Sequence, residues 1–203
     1  MDFRTRIRQS DYAFEGNAND SSGNGFHGTA IGGPAYVAGV EGQATQLDGI
    51  DDHVVIDGVG IAGAAPRTIS GWAKADKLNM DDFTNVFGFA GEGGTSGAEF
   101  EISAVPTERG SYCLHRWGWT QNIIPMDLEW HHLAATFDGT TETRYGNGIA
   151  IGSTRVNDVD TTGHFCIGKR QTYTGPLPGT VDEVRVYDRA LSAEETAGLA
   201  GIR

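Results

Sequence analysis

The sequence predicts an all-β fold, a two-sheet antiparallel jelly-roll sandwich with one short C-terminal helix. Three observations carry this expectation. Short β-type runs recur along the chain, turn dipeptides fall between them, and 30 glycines are spread through 203 residues that are 38% hydrophobic. Many short strands at such spacing are the mark of sandwiches and jelly rolls.

The runs, in order, are His53 to Ile56, Thr68 to Ala75, Asn85 to Ala90, Ala98 to Ala104, Gly110 to Trp117, Trp130 to Phe137, His164 to Gly168 and Thr180 to Tyr187. Asp48-Gly49, Asp57-Gly58, Asp138-Gly139 and Asn147-Gly148 are the turn signals, because these pairs accept the positive φ of tight hairpin turns. Alternation within the runs is uneven, as expected where a sheet is covered on both faces. The one persuasive helix is Ala193 to Leu199, opened by a capping box with Ser192 at the N-cap and Glu195 at N3. No linker, repeat or low-complexity tract divides the chain, so residues 1–203 read as one domain. A chain of this size buries roughly 70% of its unfolded surface.

Composition removes whole classes of function. Lys plus Arg is 15 against 27 Asp plus Glu, a net charge of −12, whereas nucleic acid and anionic membranes require a basic face. Collagen and disordered linker do not fit dispersed glycine with this much apolar content. No apolar run reaches the roughly 18 residues of a membrane span, so no membrane insertion is expected. The start, Met1-Asp2-Phe3-Arg4, carries no apolar signal region, as in a mature fragment of an exported protein. Cys113 and Cys166 permit one disulfide at most and fit no zinc-ribbon spacing. Nothing local shows that their strands are neighbours, so their pairing stays open.

Three longer stretches share a pattern. They are Tyr12 to Gly28 (with Asn19-Asp20-Ser21-Ser22-Gly23-Asn24-Gly25), Trp130-His131-His132-Leu133-Ala134-Ala135-Thr136-Phe137-Asp138-Gly139, and Gly179-Thr180-Val181-Asp182-Glu183-Val184-Arg185-Val186-Tyr187-Asp188-Arg189-Ala190-Leu191-Ser192. Leu47 to Val54 and Thr68 to Lys74 agree with them. Together they resemble the LamG-like jelly-roll family, within the concanavalin A-like lectin/glucanase superfamily, from about Tyr12 to Leu199. Thr143 to Gly148 departs from that pattern by lacking the usual aliphatic residues before its turn. The resemblance implies a carbohydrate- or protein-binding module of a secreted or cell-surface protein, hence an extracellular location. Fold alone does not fix function.

By strand alternation Asp182 shares a face with Val184 and Val186, which reads as the core face. A buried carboxylate there needs a cation, donors or an altered pKa. In similar LamG-like domains an early-loop aspartate and a terminal-strand aspartate bind one calcium, and Asp20 and Asp182 match those positions. Asn24 is a further candidate ligand, with carbonyls near Gly25 and His27 completing an oxygen shell. The loop is no EF-hand, since Ile31 stands where a bidentate glutamate would be. An Asx turn at Asp20 and N–H donors at Asp182 are the structural alternatives.

A catalytic site is not expected. Glucanases of this fold set paired carboxylates on one strand as Glu-x-Asp-x-x-Glu, and no glutamate here has an aspartate two positions later. Glu99-Phe100-Glu101-Ile102-Ser103 reads as a surface strand edge. His115 and Arg116, and likewise His131 and His132, are adjacent and so face opposite ways. No nucleophile elbow or P-loop occurs.

Sugar-binding surfaces stack aromatic rings on the apolar face of a sugar and fix its hydroxyls with planar polar groups. Period two puts His115, Trp117 and Trp119 on one face with Gln121 continuing it, although both tryptophans could instead cover the core's edge. Tyr173, in the loop Lys169 to Gly179, is a candidate rim contact or an ordinary loop tyrosine. Trp72 and Trp130 read as framework. The leading reading is a non-catalytic, calcium-containing carbohydrate-binding module whose partner is a polysaccharide or glycan. A protein-interaction domain of the same fold, bound to other protein domains, and a divergent polysaccharide hydrolase or lyase are the alternatives.

Overall fold

The computed structural model describes residues 9–78, 80, 83–90, 97–106, 110–170 and 175–201. Its elements are β1 (Ser10–Tyr12), β2 (Thr29–Ile31), β3 (Ala35–Ala38), β4 (Gln43–Asp48), β5 (His53–Ile56), β6 (Arg67–Ala75), β7 (Thr84–Ala90) and β8 (Glu99–Val105). They continue as β9 (Ser111–Arg116), β10 (Trp119–Pro125), β11 (His131–Phe137), β12 (Thr141–Gly146), β13 (Ile149–Arg155), β14 (Phe165–Ile167), β15 (Pro178–Tyr187) and α1 (Ala193–Leu199). One sheet runs β13-β12-β11-β6-β15-β4-β3, with β1 added beside β15; the other runs β10-β9-β8-β7-β14-β5-β2. The pairs within both are antiparallel, so the structure is the two-sheet jelly roll that the strand spacing predicts.

The core lies between the inner faces. Phe87, Phe89 and Phe165 of the seven-stranded sheet meet Ile69, Leu133, Phe137, Val181, Val184 and Val186 of the other. The first strand is tied to the last: Tyr12 pairs with Val184, which places β1 alongside β15. Helix α1 caps the outer face of the first sheet, where Leu191 and Leu199 pack on Tyr187. The capping box is present as expected, with the Ser192 hydroxyl accepting from Glu195 N–H and the Glu195 carboxylate accepting from Ser192 N–H. The Asn147-Gly148 turn also forms, both residues at positive φ (49° and 77°).

Two expectations about facing are overturned. On β15, Asp182 pairs with Trp72 and Arg185 with Ser70, so three steps on β15 oppose two on β6. Glu183, at φ 51°, is the extra residue of this β-bulge. The inserted residue reverses the parity, so Val181, Val184 and Val186 face the core together. Asp182 therefore lies on the opposite face, not with the valines. On β9 and β10 a two-residue turn, Trp117-Gly118, intervenes, and Gly118 takes the φ of 82° that it requires. Trp119 then pairs with Arg116, Thr120 with His115 and Gln121 with Leu114. Trp119 and Gln121 consequently share a side with Arg116, and His115 shares the other with Thr120.

Candidate carbohydrate-binding surfaces

Asp20 and Asp182 hold different loops. The Asp20 carboxylate accepts from Asp11 N–H (3.0 Å), Ser22 N–H (2.9 Å), Ser22 Oγ (2.9 Å) and Phe26 N–H (3.1 Å). Four donors engage its two oxygens, and the carboxylate closes the loop 20–26 onto β1. His27 contributes its ring, with Nδ1 accepting from Asp20 N–H at 3.2 Å. Asn24 turns its amide to the Gln9 carbonyl (3.1 Å), and Gly25 takes a positive φ of 82° with open space beside it.

Asp182 is fully buried. It accepts from Val40 N–H (2.8 Å), Glu41 N–H (3.2 Å) and its neighbour Glu183 N–H (2.7 Å). A Cβ on Gly39 would lie 2.5 Å from its Oδ2, so glycine lets the loop come this close. Glu15 grips the same loop from the other end, accepting from Gln43 N–H at 3.1 Å. Burial lifts the Asp182 carboxyl to about 6; the Glu41 and Val40 N–H groups oppose that, and the Glu15 charge adds to it. A buried acid beside a second carboxylate is an environment that a cation would relieve. Among the described residues the one close acidic triad is Asp48, Asp51 and Asp52, where Asp48 accepts from the N–H groups of Ile50, Asp51 and Asp52.

At the open end of the sandwich, Trp119 is 63% and Trp117 43% exposed. Behind them lies a fixed polar network. Arg116 Nε donates to Glu142 (2.8 Å), and its other edge pairs with Asp158. Gln121 donates to Glu142 (2.6 Å) while its carbonyl accepts from Thr154 Oγ (2.9 Å) and Arg144. Arg144 is further anchored to the Asn122 carbonyl at 3.0 Å. An exposed indole beside an immobilised amide and guanidinium is the combination that sugar recognition uses. Tyr173 lies outside the described residues.

A second polar group lies where the sequence predicts a surface strand edge. Strand β8 is central, not an edge, and Glu99 and Glu101 are buried on its face away from the core. Glu101 accepts from Arg170 Nε (2.7 Å), Asn85 (2.7 Å) and Ser103 Oγ (2.5 Å). Glu99 stands 3.2 Å from His115 Nε2 and 3.6 Å from Arg170. Burial pushes the Glu99 carboxyl up, but the His115 hydrogen bond and the Arg170 and His115 charges outweigh it and hold it below its ordinary value. His115 thus has a carboxylate on one nitrogen and Thr120 Oγ on the other (3.0 Å), with Phe83 against its ring at 5.2 Å. The Glu-x-Glu alternation was the available signal; Arg170, 69 positions from Glu101, left none.

Comparison with known proteins agrees with this architecture. A family model described as the Concanavalin A-like lectin/glucanases superfamily, of laminin G type, matches residues 48–197. Among solved structures the chain is similar to domain 4 of AbnA, an extracellular GH43 arabinanase from Geobacillus stearothermophilus, in complex with arabinotriose. The identity is 25%, the TM-score 0.76, and the match covers 95% of this chain and 98% of that one. The binding domain of Paraclostridial Mosquitocidal Protein 1 is similar at 18% identity and TM-score 0.73, and the receptor-binding domain of botulinum neurotoxin type G at 13% and 0.71. Each covers 96% of this chain, which spans 51% of each toxin domain, so these two likenesses concern the fold. No curated protein matches the chain. Among the described residues no helix is long and apolar enough to cross a membrane.

Proposed function

We propose, from the premise that this chain belongs to the concanavalin A-like lectin/glucanase superfamily, that it is a non-catalytic carbohydrate-binding module of an exported protein. The observation that carries the reading is the near full-length likeness, at 25% identity, to an arabinanase domain in complex with arabinotriose. The open-end surface supports it: Trp119 offers a sugar-sized apolar face, and Gln121 and Arg144 are already fixed by Glu142, Thr154 and the Asn122 carbonyl. Trp117, in the adjoining turn, is exposed close to Trp119 in the chain. His115 belongs to the opposite side of the hairpin and would serve a ligand only there.

The reading includes a structural calcium. Asp182 with Glu15 is the better-suited pair, because both carboxylates grip the 39–43 loop and an ion would neutralise them together. The Asp20 carboxylate is engaged by four donors from β1 and its own loop, whereas Asp182, engaged by three, also feels the Glu15 charge. Removing bound calcium should then lower the melting temperature, since an ion at a hundredfold above its Kd contributes about 3 kcal/mol.

Titration calorimetry with arabinotriose and other neutral oligosaccharides, followed by chromatography of the incubated sugar, tests the function. Binding with the sugar recovered intact is the expected result. Shortened products would make the chain an enzyme, and no binding to any sugar would favour a protein-interaction domain.

A further inference from the structure

A cleft of about 310 Å³ opens on the outer face of the first sheet, between the 39–42 loop, the β15 bulge and the C-terminal end of α1. Val40, Glu41, Trp72, Glu183, Arg185 and Leu199 line it. Trp72 is half-buried and stands outside the core cluster, because its partners across the sheet are His132 and Asp182 on the outer face. The His132 ring, 1% exposed, meets the indole edge-on at 5.4 Å. The indole therefore lines the cleft with a buried ring packed against it.

The bulge supplies the rest. Glu183 adopts a backbone conformation that side chains rarely take (φ 51°), and the structure around it holds that strain. Its carboxylate pairs with Arg185, whose guanidinium also reaches Asp11 at 3.3 Å. Glu183 and Arg185 are each 7% exposed and so form a rigid base, while Glu41 stands exposed at the rim.

The charge pattern selects the ligand. Both signs of charge line the cleft, with Glu41 and Glu183 as carboxylates and Arg185 as a guanidinium. A neutral polyhydroxylated ring satisfies both, since each hydroxyl donates to carboxylate and accepts from guanidinium while the ring's C–H face packs on the indole. A volume at the low end of ligand sites suits one or two rings.

We infer that the Trp72 cleft is a second saccharide site, which takes the terminal ring of a neutral oligosaccharide end-on and is separate from the Trp119 surface. This rests on the carbohydrate-binding reading but can fail independently of it. The test is ¹H–¹⁵N spectroscopy of the tryptophan indole N–H groups during titration with arabinotriose and with a panel of neutral monosaccharides. The Trp72 signal should shift in the intact protein and in Trp119→Ala. It should need at least tenfold more sugar in Val40→Arg, which fills the rim from an exposed position, and be weakened in Glu41→Ala. A Trp72 signal that stays still while the Trp119 signal moves overturns the cleft and leaves the reading standing. Equal affinity in folded Val40→Arg also overturns the cleft. If no sugar in the panel moves any indole signal, both fall.

Discussion

Cys113 and Cys166 point to the same outer side of the seven-stranded sheet, yet they stand on β9 and β14, with β8 and β7 between them. Three inter-strand spacings of about 4.8 Å put them roughly 14 Å apart. A disulfide needs Cα atoms within about 7 Å, so the sandwich cannot bridge them. Both thiols are buried, and burial pushes the Cys166 thiol up to about 12 and the Cys113 thiol higher still. Thiol titration of denatured, unreduced protein should find two free thiols per chain, and almost none in the folded state. Fewer than two after denaturation would contradict this arrangement.

His132 and Asp182 should oppose each other in acid. Burial holds His132 down to about 3, with the Arg185 charge adding to the effect. The unfolded chain therefore takes up that proton first, and this contribution is lost as pH falls from about 6.5 toward 3. Asp182, lifted by burial to about 6, binds its proton first in the folded state. Its effect has the other sign, and stability is lost as pH rises from about 4 toward 6. His132→Leu removes the contribution that rises with pH, so the variant should lose stability relative to wild type as pH climbs from about 3 to 6.5. Urea melts of both calcium-free proteins at half-unit pH intervals measure the difference, and a difference that stays constant across that window would refute it.

Arg170 should matter to stability far more than its loop position suggests. It is the cation that Glu101 and Glu99 share inside the protein. Removing one partner of a buried ion pair strands the other's charge, at a cost of about 3–5 kcal/mol. Arg170→Met should show that loss in chemical denaturation at pH 7, and adding Glu101→Gln should restore part of it. A single-variant loss under about 1 kcal/mol would mean that water reaches the carboxylates.

Trp119→Ala should leave the melting curve unchanged within about 0.5 kcal/mol, because the ring is 63% exposed. Affinity of the open-end site for arabinotriose should weaken by about 1 kcal/mol or more, roughly fivefold. A large stability loss would instead make the ring a lid on the core. Unchanged affinity at that site would remove the indole from recognition.

Much of this molecule is local chemistry and was legible residue by residue. Ser192 and Glu195 announce the helix start because both capping bonds lie within four residues. Asn147-Gly148 announces its hairpin because only those two residues need positive φ. Glycine and Asx punctuation, apolar runs and the Asp182-Glu183-Val184-Arg185 stretch were enough to recognise the jelly roll and its superfamily. Which face each polar residue occupies was not legible in the same way. A strand pattern has period two, so one extra residue at Glu183, or one turn at Trp117-Gly118, reverses every side chain beyond it. Partners distant in sequence were equally hidden, as with Arg170 reaching Glu101 and Asp182 receiving the Val40 N–H from 142 positions away. Pairing of strands distant in sequence, and loops folding over the outer faces of the sheets, bring those groups together, and no spacing along the chain records it. The strands, turns and helix cap were determined by neighbouring residues; the faces, the Trp72 cleft and the charge pairs were decided when distant strands and loops came together in the folded sandwich, as in the Arg116–Glu142 pair that joins its two sheets.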